Sequence, residues 1–155
     1  MRLPMLLLVS GIGLLVTPFV AAQSPVGSVG ANYVPHLGDI MGATQLRHIK
    51  LAYAGKRRNW ELAAYELDQI KMSFQDAATY YPGIPITDMT IVEKPVRRLS
   101  EAIQQKNPKT FSVAFAELTA ACNSCHQAIG RDFIVIQVPA SSPFSNQIFE
   151  PAAKP

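Results

Sequence analysis

Five consecutive residues carry most of the chemistry available to this sequence: Cys122-Asn123-Ser124-Cys125-His126. Two thiols three positions apart, followed directly by a histidine, form C-x-x-C-H, the pattern of covalent haem attachment. Each thiol can add to one vinyl group of a porphyrin, giving two thioethers, and the His126 imidazole can bind the iron as proximal ligand. The chain holds two cysteines in all, so the motif uses both. Three other uses of the pair are weaker. A Cys122–Cys125 disulfide closes too short a loop to remove much unfolded-state entropy. A thiol redox site lowers a thiol pKa at a helix N-terminus, whereas this pair lies late in a helical pattern, where the dipole disfavours a thiolate. A zinc site needs about four ligands, and His36 and His48 are the remaining histidines.

The elements that must hold this motif read as helices. Phe111, Phe115, Leu118, Cys122, Cys125 and Ile129 are spaced four, three, four, three and four, which is one helical face. Asn107 can cap that helix, Pro108 suits its first position, and Gly130 ends it. Both cysteines thus fall on the core stripe. His126, one turn after Cys122, flanks the same face.

Three helices are expected before it. Leu37, Met41, Thr44, His48 and Leu51 share a face of a first helix from Leu37 or Gly38 to Ala54, widened by Leu46, Ile49 and Tyr53. Gly55 is expected to stop it in a left-handed conformation. The short Lys56-Arg57-Arg58 link, read as a solvated turn, with partner docking as the alternative, folds the second helix back antiparallel. That helix starts at the Asn59 cap. Trp60, Ala63, Leu67, Ile70, Phe74 and Ala77 line its inner face, with Glu66 among the polar residues on its other faces and Met72 read as packing, like Met89. Pro82, Gly83 and Pro85 break the pattern. A third helix carries Val92, Val96, Leu99 and Ile103; it begins at Pro95, or a turn from Thr90 is kinked there, since proline costs about 3 kcal/mol inside a helix.

The 155 residues suit one domain with extras. Residues 1–22 read as a secretory signal peptide: Arg2, an apolar run, and Val20-Ala21-Ala22 before a cleavage site at Gln23. The alternative is a retained anchor, since apolar runs of about 18 residues are ambiguous. Residues 23–36 read as a leader without a core, 37–131 as the haem-binding bundle, and 132–155 as an irregular tail packed on it. Removing Arg2 leaves 13 basic against 11 acidic side chains, too small an excess to argue for nucleic acid or an anionic membrane as partner.

Four helices, an export signal and C-x-x-C-H on the last helix resemble the class II c-type cytochromes, which comprise cytochrome c′ and its low-spin relatives. The resemblance covers roughly residues 37–131 and rests on Cys122, Cys125, His126 and the four helical patterns. It implies an all-α, four-helix up-down-up-down bundle with one covalent haem c; the export signal and the C-x-x-C-H motif together lead to the expectation of a periplasmic location. The resemblance also implies that the second axial position is supplied or blocked by a residue early in the first helix. Met41 fits: in an antiparallel pair, Met41 and His126 both lie roughly 6 Å from the same end. Packing beside an open site is the alternative for Met41, and His48, about 10 Å further along, is the alternative sixth ligand. Arg131 is a candidate partner for a haem propionate.

The expected function is single-electron transfer between redox partner proteins, with a homodimer as one arrangement, no membrane contact after signal cleavage, and no enzymatic constellation. The alternatives are a five-coordinate protein that binds NO or CO, a thiol oxidoreductase using Cys122 and Cys125, and a haem subunit of a larger enzyme.

Overall fold

Two helical hairpins are joined by the same device. The computed structural model describes residues 33–84 and 90–153, and in them the chain forms four α-helices: α1 (Leu37–Lys56), α2 (Trp60–Tyr80), α3 (Thr90–Gln104) and α4 (Pro108–Ala128). After α1, Arg58 adopts a left-handed φ of 58°. Its N–H donates to the Gly55 carbonyl at 3.0 Å, and the Asn59 N–H donates to Ala54 at 2.8 Å. After α3, Lys106 has a φ of 52°; its N–H donates to Ile103 at 3.0 Å and that of Asn107 to Ala102 at 2.9 Å. This wrap satisfies carbonyls that a helix end leaves without partners. Its last residue then caps the next helix: the Asn59 side chain accepts from Leu62 N–H, and Asn107 accepts from Lys109 and Thr110.

The fold is therefore all-α with four helices, as the periodicities predict, and no strand occurs among the described residues. The signal peptide expected over 1–22, its cleavage at Gln23, and Met89 lie outside the described residues. No helix among the described residues is long and apolar enough to cross a membrane.

Gly55 departs from the expectation. Helix α1 runs on to Lys56, and the left-handed residue is Arg58. Gly55 is buried, and a Cβ placed on it would overlap the Phe111 ring. Its small size, not its backbone freedom, is what α1 needs there.

Helix α1 packs along α2, and α3 along α4, with smaller seams between α2 and α3 and between α1 and α4. At the last seam Gly55 meets Phe111, His48 bonds Thr119, and Ile40 shares an apolar cluster with Cys125, so α1 and α4 run antiparallel. The main core draws on all four helices, with Leu51, Leu67, Ile70, Leu99 and Leu118 almost fully removed from water. Each such side chain contributes about 1.5–3 kcal/mol. A smaller cluster of Ile40, Ala77 and Cys125, flanked by Leu37, Met41, Tyr81 and Ile84, lies toward the other end.

Three side chains differ from their expected faces. Glu66 is buried and pairs with Arg47 of α1 at 3.2 Å; a carboxylate removed from water needs such a partner. Leu46 and Met72 are exposed, ordinary for single apolar surface residues. In α3 the helix starts at Thr90 and carries Pro95 inside it, buried.

Beyond Gly130, which has a φ of 66°, the tail contacts the helices at several points. Phe149 is buried, with its ring 5.6 Å from that of Tyr53. Asn59 Nδ2 donates to the Glu150 carbonyl at 3.1 Å, and Arg57 pairs with the Glu150 carboxylate at 3.3 Å. Phe133 and Ile148 remain exposed.

Candidate functional site

The last two turns of α4 bring the C-x-x-C-H residues to a cavity of about 550 Å³, within the range of small-molecule and cofactor sites. Cys122, Cys125 and His126 line it from α4; Met41, Thr44 and His48 from α1; Phe74 from α2 and Val92 from α3; Arg131, Ile134 and Ile136 from the segment after α4. Every residue singled out in the sequence for cofactor binding thus lies on one cavity. Met41 arrives there by register. His48 bonds Thr119 across the α1–α4 seam; seven residues back along α1 is Met41, and seven forward along α4 is His126. In an antiparallel pair those steps, about 10 Å each, keep the partners level.

The two histidines have different nitrogens free. His126 Nδ1 lies 2.7 Å from the Ile134 carbonyl. A carbonyl only accepts, so Nδ1 carries a proton, and in the neutral ring the lone pair is on Nε2. A metal-binding histidine has this arrangement: one nitrogen held by a backbone carbonyl, the other available. His48 Nε2 lies 2.9 Å from Thr119 Oγ1, whose hydroxyl donates to the Phe115 carbonyl at 2.9 Å. The hydroxyl proton is therefore committed, and His48 Nε2 donates to the oxygen. His48 is buried, its ring 4.4 Å from that of Phe115, and burial lowers its pKa from 6.5 to about 4. It is neutral at physiological pH and can offer a metal only Nδ1 while the Thr119 bond stands.

Burial raises both thiol pKa values. Cys122 is pushed up to about 11, first by burial and then by the proximity of Cys125; burial raises Cys125 as well. Both are free thiols, protonated near pH 7, and a protonated thiol is a poor nucleophile in disulfide exchange. Among the described residues no three His, Cys, Asp or Glu side chains are grouped to hold a bare metal ion.

Two features of the site went unread in the sequence. Gly38 and Gly42 line the cavity, and a Cβ on either would meet nothing within 4 Å, so the α1 backbone borders open space there. The signal was present at Gly42, a glycine inside the helix that costs about 1 kcal/mol against alanine, with no turn to require it. The second is Asn123, whose side chain makes two hydrogen bonds with Ile136; nothing in the C-x-x-C-H pattern marks its spacer residues.

The residues present fit a haem. Two thiols three apart and an imidazole with Nε2 free border a largely apolar cavity, glycines leave room along one wall, and Arg131 lines it as a cation for a propionate. Comparison with protein-family models, with curated proteins and with solved structures found no match.

Proposed function

We propose that this protein is an exported, periplasmic c-type cytochrome of the class II kind, which carries single electrons between protein partners. The observation that supports this most is the His126 Nδ1–H bond to the Ile134 carbonyl, which leaves Nε2 free beside the two C-x-x-C thiols. In this reading Cys122 and Cys125 hold one haem c by thioethers, His126 is the proximal ligand, Met41 the sixth ligand, and Arg131 the partner of a propionate. When bound, the haem supplies a one-electron iron couple. The helices supply the rest: ligands on packed α1 and α4 move little when the iron changes charge, and the apolar lining keeps water away. With His126 as one ligand, the Met41 thioether as the other would raise the potential of that couple, as in electron carriers. His48, neutral and bonded to Thr119, serves as a packed polar residue.

The test is the absorption spectrum of the protein, oxidised, reduced, and reduced under carbon monoxide, with haem retained after denaturation. A low-spin reduced form indifferent to carbon monoxide is expected. A high-spin form that shifts with the gas would replace electron carriage with ligand binding, and absence of covalent haem, from cells that mature other c-type cytochromes, would overturn the reading. Met41→Ala is expected to turn the ferric spectrum from low to high spin with haem still attached; an unchanged spectrum would transfer the sixth-ligand role to His48.

A further inference from the structure

Residues 134–136 have no regular secondary structure, yet side chains of α4 hold them at three atoms. Asn123 Nδ2 donates to the Ile136 carbonyl at 2.8 Å, and its Oδ1 accepts the Ile136 N–H at 2.8 Å. One amide thereby satisfies both backbone groups of one residue, as a neighbouring strand would. Two residues earlier, the Ile134 carbonyl accepts the His126 Nδ1–H at 2.7 Å. The turn between is closed by the Arg131 N–H on the His126 carbonyl at 2.7 Å and the Ile134 N–H on the Arg131 carbonyl at 2.9 Å. Ile134 and Ile136 also line the cavity. A spacer residue of the C-x-x-C-H motif therefore grips the segment that grips the motif's histidine.

We propose that Asn123 is a positioning residue for the iron ligand and that residues 134–136 are a strap acting through it on His126. The inference rests on the haem reading and deepens it. The chain of effect is short. Asn123 fixes Ile136, which fixes the Ile134 carbonyl, which in turn sets the ring angle and tautomer of His126. A carbonyl on Nδ1–H also makes Nε2 a stronger donor, and a stronger donor favours ferric iron over ferrous. In Asn123→Ala the strap loses both amide bonds, and His126 exchanges a fixed acceptor for water.

The experiment measures the midpoint potential of the haem-loaded wild type, Asn123→Ala and Asn123→Gln. Second-shell partners of metal-binding histidines typically change metal affinity 10- to 100-fold. The expected result for Asn123→Ala is a rise equivalent to a tenfold loss of ferric over ferrous preference, about 59 mV for one electron, with the thioethers intact. Asn123→Gln, which keeps an amide, should shift less. A potential unchanged in Asn123→Ala overturns the strap and leaves the haem reading standing. Should that variant fail to fold, proton NMR of the reduced wild type decides: a His126 Nδ1–H protected from solvent exchange supports the strap, and exchange at the solvent rate overturns it. Absence of covalent haem from the wild type overturns both.

Discussion

Where α1 turns into α2 and α3 into α4, the Phe111 ring lies so close to Gly55 that a single added carbon would overlap it, while toward the far end of α1 Gly38 and Gly42 border empty space. The same residue type in the same helix thus serves opposite purposes. At the closed end, Trp60 meets Phe111 edge-on with ring centroids 5.9 Å apart and Phe111 stacks on Phe115 at 6.0 Å, and glycine permits contact. At the hollow end it permits volume. Gly38 and Gly42 are exposed and also line the cavity that the thiols and imidazole of α4 border.

His48 stands between the two ends, its ring tilted against that of Phe115 and lining the cavity, and it gives the largest expected effect. An unfolded histidine titrates near 6.5, while folded His48 titrates near 4, so below 6.5 the unfolded chain binds the proton more readily. Stability is expected to be whole above pH 6.5 and to fall as the pH drops through this window, by on the order of 3 kcal/mol in all. His48→Gln keeps a donor for Thr119 and removes the titration. Denaturant unfolding of the haem-free chain across the window should show the slope vanish in that variant; a slope that persists would assign it to another group.

The glycines give the next two effects, of opposite sign. Gly55→Ala must displace the Phe111 ring and is expected to destabilise by about 2 kcal/mol, in the range of overpacked cores. Gly42→Ala meets nothing and gains helix propensity, so it is expected to stabilise the haem-free chain by about 1 kcal/mol. The midpoints of urea unfolding compare them directly. A destabilised Gly42→Ala would mean that the hollow end is as filled as the closed one.

How much of this was legible in the sequence depends on how local the cause was. Asn107-Pro108 marked the start of α4 because capping involves only the first turn, and the α4 stripe placed both cysteines because periodicity needs only one helix. Gly55 looked like a stop signal because a glycine near a helix end usually is one; its true neighbour, Phe111, lies 56 positions away in the sequence. Glu66 looked like a surface residue because its burial depends on Arg47 of another helix. Met41 could be matched to His126 by counting residues from one end of an antiparallel pair. Asn123 could not be matched to Ile136, because the tail between them follows no period from which its path could be counted.

The order of residues along α4 and the tail also has a consequence in time. A polypeptide emerges from its N-terminus, so His126 appears eight residues before the carbonyl that will hold it. During that interval the imidazole has no backbone acceptor from the tail and can turn freely, while Cys122 and Cys125 are already present on the same stretch of chain. Residues 134–136, the next stretch to appear, then remove that freedom.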